Sequence, residues 1–313
     1  MDPIFGYHIP SFTFPGVPDA QLFDRVVGLA QAAEGAGFDL VTVMDHFYQI
    51  ALNGSEDQPM LEAYPTLAAL AMKTSRVKLA TMVTGVTYRN PAHLAKLVTT
   101  LDVISGGRAI LGIGAAWNES EHAGYGFDFP PIKERMDRLD EALAICTAMF
   151  REERPSFTGR FYRIDQALNV PRPIQPRGPQ IMIGGGGEQR TLRLVAKYAD
   201  ISHWFPLGME ELKRKTAILE GYCAEIGRDS ATIRRMMASP VVLVASEADG
   251  AALLERLPPE RRAMMHPVTP ARGAEIIGEY VEAGFAGFTF SNQMLRTPDA
   301  IGLAGELISL VRK

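Results

Sequence analysis

A short apolar run followed by a stretch with helical periodicity recurs along the whole 313-residue chain. Apolar runs predict strands over 4–9, 39–44, 77–83, 109–113, 180–183, 200–204, 241–245 and 285–290. Between them, apolar residues return at helical spacing: Leu22, Val26, Leu29 and Ala33; Leu94, Leu97, Val98 and Leu101; Leu139, Leu143 and Cys146; Leu192, Val195 and Ala196; Ile276, Ile277, Tyr280 and Val281; Leu307, Ile308 and Val311. Helices are also expected over 66–72 and 209–226, and Gly35 and Gly37 stop the first one. Alternating β and α at this length means a parallel sheet covered by helices. Eight units favour a closed (β/α)8 TIM barrel, one α/β domain over 1–313. Longer loops follow strands four and seven, and 151–178 is irregular, with a small hairpin expected around Thr158-Gly159-Arg160.

Composition removes several function classes. Hydrophobic residues make up 47% of the chain, ample for a large core. A formal net charge of −4 supplies no global basic field for nucleic acid. The absence of a long apolar run argues against a membrane span. Met1-Asp2-Pro3 lacks the basic and apolar regions of a secretory signal, so a cytoplasmic location is expected. Cys146 and Cys223 are the only cysteines; both fall in helical patterns, without metal-type spacing.

One stretch points to a ligand. Ile183, Gly184, Gly185, Gly186 and Gly187 end a strand and lead into a helix. Glycines permit close backbone approach, and a helix start offers unpaired N–H groups that suit a phosphate. The loop has neither the Gly-Lys-Ser/Thr of a P-loop nor the spacing of a dinucleotide fingerprint. A tight strand-to-helix turn is the plain alternative.

In such barrels the active site lies at the C-terminal ends of the strands. His8, Asp45, His46, Thr84, Trp117, Asn118, His203, Trp204, Ser291 and Asn292 sit at or just past strand ends. Asp45-His46 is the best acid–base candidate, because histidine titrates near neutrality; a capping aspartate beside a surface histidine is the other reading. No H-x-H or H-E-x-x-H occurs, so no metal is expected. His122, near Glu119 and Glu121, falls on what reads as a loop without a clear partner. No lysine directly follows a strand, and no G-x-S-x-G occurs. Phe47, Tyr48, Trp117 and Trp204 make the expected mouth aromatic, while Phe205 reads as core. An aromatic cavity with a phosphate anchor suits a flat cofactor with a phosphate tail.

Two segments carry a family resemblance. Leu79-Ala80-Thr81-Met82-Val83-Thr84-Gly85-Val86-Thr87-Tyr88-Arg89-Asn90-Pro91 and Leu101-Asp102-Val103-Ile104-Ser105-Gly106-Gly107-Arg108, leading to Leu111-Gly112-Ile113-Gly114, resemble the bacterial luciferase-like superfamily. Asp45-His46 and the loop from Ile183 to Gly187 resemble its coenzyme F420-dependent branch. The resemblance implies a deazaflavin or flavin at the barrel mouth, supported by a strand-three bulge with a cis peptide at Met82-Val83, beside Thr84. It implies that Asp45 contacts the ring, that His46 lies near the reacting carbon, and that Gly114 and Asn118 touch the cofactor. It further implies that Ile183, Gly184, Gly185, Gly186 and Gly187 hold the phosphate. Arg89, Arg190 and Arg193 are then candidates for the polyglutamate tail at the rim. One departure stands out: where the family's sugar-phosphate dehydrogenases carry a catalytic glutamate after strand four, this chain has Ala115-Ala116-Trp117. Trp117 would present an apolar wall to substrate. The expectation is an F420-dependent oxidoreductase acting on a small organic molecule, as a homodimer. An FMN-dependent monooxygenase and a non-catalytic cofactor-binding homologue are the alternatives.

Overall fold

Eight parallel strands close on themselves in the computed structural model, which describes residues 2–257, 259–262 and 265–313. They are β1 (Ile4–Ile9), β2 (Leu40–Val43), β3 (Lys78–Thr81), β4 (Ala109–Gly114), β5 (Gln180–Gly184), β6 (Ile201–Trp204), β7 (Arg234–Ala238) and β8 (Gly287–Ser291). Pairing runs β3-β2-β1-β8-β7-β6-β5-β4, and Leu79 opposite Ala109 closes the ring. The architecture is the expected (β/α)8 barrel. Between the strands lie α1 (Leu22–Gly35), α2 (Ala63–Ala71), α3 (Pro91–Ser105), α4 (Glu119–Tyr125), α5 (Ile132–Arg151), α6 (Thr191–Tyr198) and α7 (Met209–Glu225). Further helices span Glu247–Glu255, Pro270–Glu282 and Pro298–Val311.

Side chains alternate across each strand. On β1, Phe5, Tyr7 and Ile9 face outward into the helix layer, where Val26, Leu29, Leu67, Val98, Leu143 and Leu307 pack the main core. Each such burial contributes roughly 1.5–3 kcal/mol relative to exposure. Inside the barrel, Leu40, Ala80, Ile110, Met182, Ile201 and Met236 form an apolar plug.

Local chemistry sets the helix ends. Asn90 caps α3, its side chain accepting from Ala92 N at 2.9 Å, with Pro91 at the first position. Gly106 ends that helix at φ 67°, a left-handed conformation that suits glycine. Residues on both sides of this helix end serve the scaffold. Asp102 is buried and accepts from Ala109 N, Ile174 N and Gln175 Nε2. Arg108 donates to the carbonyls of Ala71, Thr74 and Val77.

Strand seven differs from expectation. It is Arg234–Ala238, and the apolar run at 241–245 lies in the following insertion, where Val242–Leu243 pairs with Pro267–Val268. Two arginines open the true strand, masking it. Arg234 Nη1 donates to the carbonyls of Asp2 and Ala286, and Arg235 to the carbonyl of Gly284 and to Glu220. The expected hairpin is present as Phe157–Thr158 antiparallel to Arg163–Ile164.

Candidate active site

At the end of β2, Asp45 and His46 are each fixed from a distant segment. Asp45 is buried, and Arg89 grips both its oxygens, Nη1 to Oδ2 at 2.6 Å and Nη2 to Oδ1 at 3.0 Å. Arg89 also pairs with Glu62, the residue whose side chain caps α2, and its guanidinium lies 4.8 Å over the Tyr64 ring. Burial works against the Arg89 charge, but Asp45 outweighs it and holds the guanidinium pKa above its usual value. Arg89 therefore stands inside the site, not at the rim as expected. Arg190 and Arg193 are more exposed and pair with Asp137 and Glu225.

His46 is backed by a carboxylate that sequence reasoning did not find. Its Nδ1 lies 2.6 Å from Glu121 Oε1. Glu121 also accepts from Phe47 N at 2.8 Å and from the Tyr88 hydroxyl. Burial disfavours this carboxylate, yet the bonds from His46, Tyr88 and Phe47 outweigh burial and hold its pKa below the ordinary range. Burial and the adjacent Glu121 push the Tyr88 phenol well above its usual pKa, so it stays a donor. An ionised carboxylate only accepts, so Nδ1 carries the hydrogen and Nε2 is the nitrogen left for other chemistry.

Glu121 comes from α4, where a loop was expected. The sequence signal was Asn118 at the N-cap with Glu119 and Glu121 in the first turn. The next residue, His122, is buried and has partners after all. Its Nδ1 lies 2.6 Å from the Asn118 carbonyl and its Nε2 2.6 Å from Thr87 Oγ1.

A bulge in β3 faces the glycine loop. Ala80 pairs with Ile110 and Thr84 with Ile113, so four steps along β3 match three along β4. The peptide Met82-Val83 within it is cis. A Cβ at Gly114 or at Gly184 would come within 3.0 Å of Val83 Cγ2, so glycine at both positions lets the bulge seat. Thr84 is buried, its hydroxyl bonded to Tyr64 and Thr81.

In the glycine loop, Gly185 has φ +104° and donates to the His203 carbonyl at 2.9 Å. Among the described residues no protein acceptor meets the N–H groups of Gly186 or Gly187. Lys215 of α7, missed because it follows no strand directly, donates to the Gly186 carbonyl and to Glu188, each at 2.9 Å.

The mouth is aromatic on one side. Trp117 is 61% exposed and meets the His46 ring edge-on at 5.4 Å. Phe47 stacks on Tyr125 at 4.5 Å and lies close to Tyr88 and Phe127. Two aromatic expectations fail. Phe205 is 74% exposed, not core. Trp204 is buried against Phe285 in the outer layer, because it is one step out of register with inward-facing His203. Asn292 is buried, donating to the Ser11 carbonyl.

Among the described residues no helix is long and apolar enough to cross a membrane, and no group of three or more His, Cys, Asp or Glu is placed to hold a metal ion. The family model described as luciferase-like monooxygenase matches residues 4–301. This chain belongs to the luciferase-like monooxygenase family. An F420-dependent glucose-6-phosphate dehydrogenase of Kineococcus radiotolerans is 38% identical over 176 residues, 56% of this chain and 49% of that protein. An F420-dependent hydroxymycolic acid dehydrogenase of Mycobacterium tuberculosis is 35% identical over 180 residues, covering 56% and 48%. The matched segment thus spans about half the length of these relatives. Over the full length of both chains, the fold superposes on an F420-dependent secondary alcohol dehydrogenase in complex with an F420-acetone adduct, at a TM-score of 0.79 and 20% identity.

Proposed function

We propose that this chain is a coenzyme F420-dependent oxidoreductase that passes a hydride between a small organic substrate and the deazaflavin. The observation that carries the reading is the Asp45-His46 pair, held by Arg89 on one side and Glu121 on the other. Relatives named as F420-dependent dehydrogenases, 38% and 35% identical over about half their length, support it.

The residues present fit such a group. The uncommitted N–H groups of Gly186 and Gly187 suit a phosphodiester without a lysine to activate it. Ile183, Gly184 and Gly185 complete that loop. The bulge at Met82 and Val83, with Thr84, Gly114 and Asn118, would bound the ring. Arg89 takes one lone pair from each Asp45 oxygen, and each oxygen retains another for a ring donor.

When bound, the deazaflavin supplies two-electron hydride chemistry. The chain's own work is orientation and proton handling. Glu121 fixes the Nδ1–H form of His46 and steadies the ring when it takes a proton at Nε2. Trp117 lies edge-on to the His46 ring at 5.4 Å and sets apolar surface beside it. The position after β4 carries Ala115-Ala116-Trp117 and no carboxylate, so His46 is the proton carrier.

The test is F420-linked turnover across a panel of alcohols and ketones, followed by F420 absorbance. His46→Ala should lower turnover by ~10²-fold or more while F420 affinity holds. Unchanged turnover in that variant would sink the role given to His46.

A further inference from the structure

Three histidines reach the barrel mouth, and they are backed differently. His46 rests on a carboxylate, whereas His8 and His203 rest on hydroxyls. His8 Nδ1 is 2.8 Å from Thr42 Oγ1, and His203 Nε2 is 2.9 Å from Thr289 Oγ1. All four side chains lie on the inner face. Thr42 is two residues beyond Leu40 and His203 two beyond Ile201, both in the apolar plug; Ile4, which packs on that plug, shares its face with His8. A Cβ on Gly6, also on this face, would meet Thr289 Cγ2 at 2.8 Å. These side chains form a polar layer directly above the plug, and the glycine loop meets the same strand end, where Gly185 N–H donates to the His203 carbonyl.

The second nitrogen of each ring, Nε2 of His8 and Nδ1 of His203, has no hydrogen-bond partner among the described residues. Neither nitrogen is among the fully buried atoms left without a partner, so each keeps an opening through which a ligand can complete it. Thr289 Oγ1 can donate or accept at its contact with His203, so Nδ1 of that ring can present a lone pair or an N–H. Thr42 can donate or accept, so His8 can offer either role.

We propose that His8 and His203 form the floor that receives the oxygen of an uncharged alcohol or ketone substrate. The proposal rests on the oxidoreductase reading above and narrows its substrate class. A carboxylate or phosphate on this floor would need a fixed cation. Arg89 is committed to Asp45 and Glu62, and Lys215 to Glu188 and the Gly186 carbonyl. Burial, with His203 nearby, pushes the His8 ring down to about 3, and burial pushes His203 down to about 4, so neither supplies positive charge near neutrality. Labour is divided: two uncharged imidazoles position the oxygen, and the carboxylate-backed His46 handles the proton.

The experiment labels histidine rings with 13C and assigns signals from His8→Asn, His203→Gln and His46→Ala. Cyclohexanol, cyclohexanone, cyclohexanecarboxylate and glucose 6-phosphate are titrated into the chain with and without F420. The cofactor-free arm reports even if F420 does not bind, which separates failure here from failure of the broader reading. Cyclohexanol and cyclohexanone should move the His8 and His203 signals, and each of the first two variants should weaken cyclohexanol binding roughly tenfold. Shifts led by the anionic probes, no shift from any of the four, or unchanged affinity in both variants would overturn the proposal.

Discussion

His46 Nδ1 lies 2.6 Å from Glu121 Oε1, and 75 positions of sequence separate the two residues. The same carboxylate accepts from the Tyr88 hydroxyl and from the Phe47 backbone. A strand end and a short helix thus converge on one imidazole, and its usable nitrogen is set by a fully buried carboxylate.

Glu121→Gln should separate positioning from packing. The amide keeps the shape, but its single carbonyl cannot serve three donors. Turnover should fall by ~10²-fold, with the acid limb of the pH–rate profile displaced and cofactor affinity retained. Glu121→Ala should in addition lose about 1–3 kcal/mol of stability for each buried donor left unmatched, read by urea denaturation.

The Asp45–Arg89 pair should behave as a buried ion pair. Arg89→Met leaves the Asp45 carboxylate buried and alone, and should cost about 3–5 kcal/mol in urea unfolding. Glu62 is 40% exposed, so Glu62→Gln should change stability by no more than about 1 kcal/mol.

The glycine loop should divide by backbone conformation. Gly185 has φ +104°, so Gly185→Ala should lower the melting temperature, at a cost of about 1–2 kcal/mol. No positive φ marks Gly186, and an added Cβ there meets only the Lys215 side chain, nearest at Cδ, 3.6 Å away. Gly186→Asp should therefore leave stability nearly unchanged while lowering cofactor affinity roughly tenfold or more, a difference of ~1.4 kcal/mol, measured by fluorescence titration.

Acid stability should depend on the floor histidines. Their pKa values are about 3 and about 4 in the folded chain, against 6.5 unfolded. Below pH 6.5 the unfolded chain takes protons that the folded one refuses, so stability falls as pH falls. Each ring contributes a slope of up to about 1.4 kcal/mol per pH unit until its folded pKa is reached. Glu121 acts in the same direction, its stabilisation being lost as pH drops through its lowered folded pKa. The double variant His8→Asn/His203→Gln should show a flatter decline between pH 6.5 and 4 than the parent chain, read from urea midpoints.

The barrel was legible because its strands are apolar runs and its helices carry one apolar face. Strand seven was not, because Arg234 and Arg235 open it and are satisfied only by contacts with distant carbonyls and Glu220. Asp45, His46 and the glycine loop could be read from their places after strands. Glu121 and the inward role of Arg89 could not, since each meets its partner only after the chain has closed. The Leu101–Arg108 segment was visible as a family signature, yet Asp102 and Arg108 brace the scaffold away from the mouth. A recognisable motif and a working residue are separate matters here.

The most direct measurement titrates the cofactor-free protein with F420 and, in parallel, with FMN, following fluorescence. The account predicts saturable F420 binding that FMN does not displace, retained in His46→Ala and weakened in Gly186→Asp. Tight FMN binding with no F420 binding would contradict it.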